Sequence, residues 1–393
     1  MAPIFLAPIE ICMNRIFTVT LLFLLTVISS TYAQTGGAWV KKADVSTLNR
    51  ESAVGFSINS KGYIGLGIVS ASPNGALWEY NNSYGTWTQK ANMPLTTTGR
   101  VSAVAFSIGS FGYVGTGEDL SFNRTKTFYS YDPNNNVWTA RAPFAGTARR
   151  EAVGFSIGTK GYIGTGDDGT RRKDFWEYDP TANTWTQKAD FGGTARNLAV
   201  GFSIGSKGYI GTGNDGTKKK DFWEYDQATN VWTRKADFGG AAREGAVAFV
   251  VNNKGYIATG DAGSGKNDIW EYDPTTNGWV QRANFIGQAR YVAAGFASGG
   301  RGYIGTGFTD EPSVGVNTKD FYEFSPPIAP AVPANVMVTA YNETSIRIHW
   351  LDQSYDETGF TVERSTDGTI FTTLATLPAG TITYTDKGLT SGQ

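Results

Sequence analysis

The chain has 393 residues, a formal net charge of −1 and only 18% charged residues, so nothing in its overall charge indicates a nucleic-acid partner. Its single cysteine, Cys12, and single histidine, His349, exclude an intrachain disulfide, a Ser-His-Asp triad in the region between them and transition-metal sites that need thiolate or imidazole ligands there. We therefore expect no cofactor and no tightly bound transition metal.

Residues 1–33 have the features of an export signal. Asn14 and Arg15 give a short polar and basic lead, and residues 17–28 form an apolar run too short to span a bilayer comfortably. A small residue, Ala33, precedes the expected cleavage point, so we predict a mature chain that begins at Gln34. Such a chain has no membrane span and is secreted or displayed at the cell surface. A membrane anchor that is retained is the alternative.

Residues 38–325 contain six copies of one repeat, 47 to 50 residues apart. Each copy holds four short segments rich in aromatic and β-branched residues, separated by turns of Gly, Asn and Asp, which predicts four antiparallel strands. The first anchor of the repeat is a Gly-Tyr pair in the second strand, and the pair begins at Gly62, Gly112, Gly161, Gly208, Gly255 and Gly302. The second is a tryptophan in the fourth strand, at Trp87, Trp138, Trp185, Trp232 and Trp279.

These anchors resemble the kelch repeat: a hydrophobic run that ends in glycines, a Tyr-x6-Trp spacing and an arginine that opens each first strand. Residues 164–166 read Gly-Thr-Gly, where kelch repeats usually carry two adjacent glycines. The resemblance implies an all-β fold, a six-bladed kelch-type β-propeller over residues 34–325. Residues 39–42 match a fourth strand, which the sixth repeat lacks. They should therefore pair with residues 322–324 and close the last blade.

Residues 326–335 are a Pro-rich linker, and residues 336–393 change in character. Their alternating strands, with Trp350 in the second, resemble the first part of a fibronectin type III domain, which is a β-sandwich. About 60 residues are present, where such a sandwich needs ~100. We therefore expect a truncated sandwich that does not fold stably alone.

An arginine stands six residues before the first-strand phenylalanine in every repeat. One interpretation is a ring of guanidinium groups that grips an acidic ligand; the other is a structural contact within each repeat, which is the commoner role of a residue present in every copy. The residue after each arginine varies, as is typical of a site on a constant frame. The pairs are Arg50-Glu51, Arg100-Val101, Arg149-Arg150, Arg196-Asn197, Arg243-Glu244 and Arg290-Tyr291.

The loops between the second and third strands are longest in repeats one, two and six, which become neighbours once the ring closes. We predict the ligand site there, with aromatic rings for stacking, carboxylates as hydroxyl acceptors and arginines at the inner edge. Turn capping is the alternative role of the loop carboxylates. A basic patch at residues 171–173 and 218–220 is a second candidate site. The predicted site residues are Arg50, Arg100, Arg290, Phe122, Phe308, Glu118, Asp119 and Asp310.

These features favour an exported, non-catalytic and monomeric module that binds a protein or a glycan outside the cell. The resemblance also leaves an enzyme open, because some exported bacterial kelch propellers epimerise sialic acid. Such an enzyme needs an arginine for the substrate carboxylate and a carboxylate as general base, a part that Glu51 or Glu244 would take. A structural cell-surface protein is the third possibility.

Overall fold

The computed structural model describes residues 25–32, 36–94, 99–119, 121–310, 315–327, 333–342, 344–353, 357–365 and 370–389. The chain divides into two compact parts: a repeat domain, Gly36–Pro326, and a second domain that contains the residues from Pro327 onward together with strand β1 (Leu25–Tyr32). Every regular element in the described ranges is a β-strand. No helix among those residues is long and apolar enough to cross a membrane.

The described part of the repeat domain forms six four-stranded antiparallel sheets, one for each repeat. Strands are numbered along the chain, and each sheet is given from its first strand to its fourth. They are β3 (Val54–Ile58), β4 (Lys61–Gly65), β7 (Leu77–Asn81) and β8 (Thr86–Lys90); β9 (Val104–Ile108), β10 (Phe111–Gly115), β11 (Phe128–Asp132) and β12 (Val137–Arg141); β13 (Val153–Ile157), β14 (Lys160–Gly164), β15 (Phe175–Asp179) and β16 (Thr184–Gln187); β17 (Val200–Ile204), β18 (Lys207–Gly211), β19 (Phe222–Asp226) and β20 (Val231–Arg234); β21 (Val247–Val251), β22 (Lys254–Ala258), β23 (Ile269–Asp273) and β24 (Gly278–Gln281); and β25 (Ala294–Ser298), β26 (Arg301–Gly305), β29 (Phe321–Ser325) and β2 (Ala38–Lys42).

Two short hairpins lie in the longer loops of repeats one and six. They are β5 (Ile68–Val69) with β6 (Ser72–Pro73), and β27 (Phe308–Thr309) with β28 (Val316–Asn317). Each first strand packs against the first strand of the next sheet, and β25 of the sixth repeat packs against β3 of the first. The six sheets therefore follow one another around a common axis.

Contacts between neighbouring sheets explain the Gly-Tyr anchor. In repeat four, a side chain at Gly208 would lie 2.5 Å from the ring of Phe155 in the preceding sheet, so only glycine fits. The adjacent Tyr209 stacks on Phe202 at 5.6 Å between ring centroids and donates its hydroxyl to Glu224 at 2.6 Å. The anchor thus lets two sheets approach closely while it satisfies a buried hydroxyl.

The fourth-strand tryptophan joins each sheet to the one before it. Trp232 donates its indole N–H to the carbonyl of Ala189 at 3.2 Å, and Trp39 makes the equivalent bond to Ala283 at 2.8 Å. Strand β2 pairs with β29 so that Trp39 lies opposite Phe324. The predicted pairing of residues 39–42 with residues 322–324 is confirmed. The N-terminal strand completes the sheet of the sixth repeat.

The second domain contains two three-stranded sheets in its described part. One has the order β30 (Ala334–Asn342), β31 (Ser345–Leu351), β34 (Thr383–Lys387), and the other β1, β32 (Glu357–Ser365), β33 (Thr372–Pro378). Ile348, Trp350, Phe360 and Val362 form its buried core. Its likeness to a fibronectin domain stays a prediction. Cys12, Asn14, Arg15, the cleavage point after Ala33, most of the Pro-rich linker and residues 390–393 lie outside the described residues.

Candidate functional site

Six backbone hydrogen bonds form a closed ring around the axis at one end of the repeat domain. The second residue after each arginine donates its N–H to the carbonyl of the same position in the preceding repeat, over 2.8 to 3.2 Å. All six have φ between 46° and 60°, a region that a β-branched residue such as Val292 rarely enters. The ring consists of Ser52, Ser102, Glu151, Leu198, Gly245 and Val292.

A cavity of about 150 Å³ lies on the axis at this ring. It is lined by the six ring residues and by the alanine that follows each of them. Pockets that enclose small-molecule ligands usually have at least roughly 300 Å³. The cavity is therefore smaller than the usual small-molecule pocket.

The arginines are structural in repeats three to six. Arg149 is fully buried, and its guanidinium makes paired hydrogen bonds of 2.6 and 2.7 Å to Asp174. It also donates to the carbonyl of Thr165 at 2.8 Å and lies over the ring of Phe144 at 5.0 Å. The indole of Trp176 donates to the same aspartate at 2.7 Å. The equivalent arginine–aspartate pairs are Arg196–Asp221, Arg243–Asp268 and Arg290–Asp320.

These ion pairs favour the structural interpretation of the arginines in repeats three to six. Arg290 is fully buried and bound to Asp320 at 2.6 and 2.9 Å, so its guanidinium is not available at the channel mouth. Arg50 and Arg100 are also buried, with exposed fractions of 2% and 3%, and do not line the rim. They differ from the other four because no described carboxylate pairs with either of them.

Around the hydrogen-bonded ring lies a second ring, made of cross-strand pairs. The residue after each arginine forms a β-bridge with the residue that immediately follows the Gly-x-Gly segment or its equivalent. The backbone geometry is the same in all repeats, whereas the side chains differ in charge, polarity and size. The pairs are Glu51–Ile68, Val101–Glu118, Arg150–Asp167, Asn197–Asn214, Glu244–Asp261 and Tyr291–Phe308.

Only the sixth pair is aromatic. The rings of Tyr291 and Phe308 lie 5.3 Å apart at an angle of 50°, and both side chains are half-buried. Burial, together with the nearby carboxylates of Asp310, Asp261 and Glu51, raises the pKa of Tyr291 to about 12. Asp310 is exposed and accepts the backbone N–H of Gly265 at 2.7 Å. Of the predicted site residues, the structure brings Phe308 and Asp310 together here, beside Glu51.

The two candidate general bases have different surroundings. Burial raises the pKa of Glu51, although a hydrogen bond from Asn317 partly opposes the shift. Glu244 accepts from Asn214 at 2.8 Å and lies 3.7 Å from Lys218, which is itself paired with Asp261 at 2.6 Å. Glu244 is thus held by an amide and an ammonium group, whereas the hydrogen bond to Glu51 comes from the amide of Asn317.

The hydrogen-bonded ring itself carries one carboxyl group, that of Glu151, and Glu151 lines the axial cavity. Burial raises its pKa, whereas the charge of Arg150 and a 2.6 Å hydrogen bond from Asn197 act in the opposite direction. Arg150 also donates to Glu118 at 3.1 and 3.3 Å. Glu151 and its partners form a buried polar network that starts in repeat three. The aromatic pair lies in repeat six, three repeats further round the ring.

The second repeat contributes less than expected. Glu118 is 5% exposed and bound to Arg150, so it is not free to accept a ligand hydroxyl. Asp119 caps its own turn by accepting the backbone N–H groups of Ser121 and Asn123 at 2.9 and 3.0 Å. Phe122 is 51% exposed and has no ring contact with another described residue.

The basic patch is largely balanced by its own acids. Arg172 binds Asp168 at 2.6 Å, and Lys219 binds Asp215 at 2.8 Å. Lys220 is exposed and borders a groove of about 570 Å³. The acids of the same loops therefore neutralise part of the patch.

No family model matches the chain, and no curated protein matches it. The chain is similar to a solved structure titled "Structure of YjhT", with a TM-score of 0.60 and 17% sequence identity. The similarity covers 77% of this chain and 98% of that chain. At this level of identity it bears on the fold alone, and it agrees with the repeated four-stranded sheets. The repeat domain is a β-propeller.

Three features of the propeller were missed in the sequence. The hydrogen-bonded ring and Glu151 lie two residues after the arginines, where the copies differ, and that variation was the available signal. The partner of each buried arginine was also visible, because an aspartate recurs 25 residues after Arg149, Arg196 and Arg243. The contact between Tyr291 and Phe308 had no such signal, since it depends on how the longest loop folds back.

Proposed function

We propose that the chain is an exported, monomeric six-bladed kelch-type propeller that binds a glycan outside the cell. The binding site is the rim of the sixth and first repeats, at the end that carries the hydrogen-bonded ring. The stacked pair of Tyr291 and Phe308 is the observation that supports this assignment most strongly. The other five cross-strand pairs of the second ring contain no aromatic residue.

The chemistry of the rim suits a sugar. The apolar face of a pyranose ring packs on aromatic side chains, and its hydroxyls need hydrogen-bond acceptors beside them. Asp310 and the half-buried Glu51 supply carboxylate oxygens next to the aromatic pair. The axial cavity, at about 150 Å³, would admit only a small substituent of the ligand.

A glycan array probed with the purified chain tests this proposal. We expect selective binding to a small group of related glycans, because the site combines one aromatic pair with a few fixed acceptors. A Tyr291→Ala variant applied to the same array should lose that signal, while an Ile286→Ala variant should keep it, since Ile286 is 60% exposed and belongs to neither ring. Binding that is absent from every glycan would contradict the proposal.

The second candidate function is an enzyme that epimerises a sialic acid, and the perturbed carboxyl group of Glu51 favours it. A carboxylate whose pKa is raised toward neutrality is a better general base than an ordinary one. Turnover of N-acetylneuraminate that is lost in Glu51→Gln, with binding retained, would support the enzyme. Binding without turnover would support the recognition module.

A further inference from the structure

One backbone position between the second and third strands carries an aspartate in repeats three to six. Its backbone carbonyl accepts the N–H of the residue between the two glycines, as in the 3.2 Å bond from Thr165 to Asp174. In the first repeat the same bond runs from Leu66 to Ala76 at 2.9 Å. Ala76 therefore occupies the aspartate position, and a methyl group stands where the other repeats have a carboxylate.

The donors that bind this carboxylate are nevertheless retained in the first repeat. Trp78 corresponds to Trp176 in register, but its buried indole N–H has no hydrogen-bond partner among the described residues. Arg50 corresponds to Arg149 and still donates to the carbonyl of the residue between the glycines, here Leu66, at 3.2 Å.

A further donor of this arginine is also unsatisfied. Nε of Arg50 is buried and has no partner in the described part of the chain, whereas Nε of Arg149 donates to the carbonyl of Thr147 at 3.1 Å. The carbonyl of Leu48, at the position of Thr147, instead accepts from the hydroxyl of Ser46 at 2.9 Å. The first repeat thus contains a buried guanidinium with fewer hydrogen bonds than its counterparts.

The charge of Arg50 makes this arrangement costly. A buried cation without a counter-ion loses its hydration without compensation, and buried charges in proteins are normally paired. Burial lowers the pKa of Arg50 to about 10, so the side chain is charged at neutral pH. The site therefore has one positive charge, at least two unsatisfied donors and no described acid against them.

The second repeat does not share this combination. Thr127 stands at the aspartate position, and its hydroxyl accepts from Nη2 of Arg100 at 2.9 Å. Tyr129 replaces the tryptophan, so no indole N–H is left without a partner there. The first repeat alone combines a buried arginine, an indole donor and a methyl group in place of the carboxylate.

We propose that the first repeat binds the carboxylate of a small ligand beside Ala76, where Arg50 and the indole N–H of Trp78 donate to it. The carboxylate would occupy the place that the Asp174 side chain takes in the third repeat. Ala76 and the preceding Gly75 are both partly exposed, which gives the group a route from solvent. This site is separate from the aromatic pair and does not depend on the proposed glycan binding.

Thermal melting of the full chain with sodium formate tests the proposal, with sodium chloride at equal ionic strength as the reference. A ligand that binds only the folded state raises the melting temperature in a saturable way. We expect that behaviour for the parent chain. We expect no formate-specific rise in Ala76→Asp, whose own carboxylate occupies the site. Trp78→Phe should weaken formate binding roughly tenfold, because it removes a donor to a charged group.

Trp176→Phe is the matched control, since its indole already binds Asp174, and it should leave the formate response unchanged. Equal formate responses in the parent and in Ala76→Asp, or a response no different from that to chloride, would overturn the proposal. If Ala76→Asp fails to fold, Asp174→Ala creates the same arrangement in the third repeat. Formate should then restore part of the stability that Asp174→Ala loses. If formate restores none of it and also fails to stabilise the parent chain, the proposal is overturned. Glucuronate in place of formate tells whether a carboxylate on a sugar can enter or only a small free acid.

Discussion

Arg196 and Asp221 form two parallel hydrogen bonds of 2.6 and 2.8 Å inside the fourth repeat, with the guanidinium fully buried. This arginine of the repeat thus holds its own sheet together, as the structural interpretation predicts. Removing one member of a buried ion pair leaves the other charge uncompensated and typically destabilises by about 3 kcal/mol or more. Asp221→Ala should therefore lower the free energy of unfolding by that amount.

Denaturant unfolding checks this prediction, with Asp237→Ala as the control in the same repeat. Asp237 pairs with Arg234 at 2.9 Å, but both side chains are well exposed. Exposed pairs contribute little to stability. Equal losses in the two variants would show that the buried pair has no special role.

The buried pairs also predict how stability depends on pH. Burial alone would raise the pKa of Asp174, Asp221, Asp268 and Asp320, but the hydrogen bonds and charge of their arginines outweigh it and lower each pKa. A carboxyl with a lowered folded-state pKa stabilises the protein above its unfolded pKa of ~4, and this contribution is lost as the pH falls toward the folded value.

The melting temperature should consequently fall steeply below about pH 4. Asp221→Asn carries no titrating group at this position, so its curve should be lower at neutral pH and less steep in acid. Parallel curves for the two proteins between pH 5 and 2.5 would contradict this account.

Closure of the last sheet depends on Trp39. Its ring packs on Phe285 and Phe324 at 5.0 and 4.9 Å, and its indole binds Ala283. Truncating a buried tryptophan typically costs about 3–5 kcal/mol, so Trp39→Ala should unfold at much lower denaturant concentration. Val40→Ala is the control, because Val40 is 48% exposed on the same strand. If both variants melt like the parent, β2 does not contribute to closure.

Export should produce a chain that begins at Gln34. Strand β1, which pairs with β32 from Leu25 opposite Ser365 onward, would then be removed and the edge of β32 exposed. N-terminal sequencing of protein recovered outside the cell checks the cleavage point. A first residue of Met1 or Met13 would contradict the prediction of a cleaved export signal.

The period of the sequence made the sheets and the closing strand predictable. Trp39 lies in a segment whose sequence matches the other fourth strands. Its pairing opposite Phe324 therefore followed from counting the repeats. The role of Arg290 did not follow, because its partner Asp320 is 30 residues away across the longest loop. Phe308 was recognised as a rim residue, but its contact with Tyr291 is set by the register of a loop with no repeated pattern. Local repetition therefore predicted the frame better than the site.

The pair of Tyr291 and Phe308 is the centre of the functional proposal. Phe308 can be compared directly with Phe122, the other predicted aromatic residue, which lies outside the pair. The measurement is the affinity of the strongest glycan from the array for the parent, Phe308→Ala and Phe122→Ala, with melting temperatures as a check on folding. Truncation of an aromatic anchor typically costs about 2 kcal/mol or more in binding. The proposal predicts that Phe308→Ala binds at least about tenfold more weakly and that Phe122→Ala binds like the parent. Unchanged affinity in a folded Phe308→Ala protein, with a loss in Arg171→Ala or Lys173→Ala, would contradict it and move the site to the basic patch.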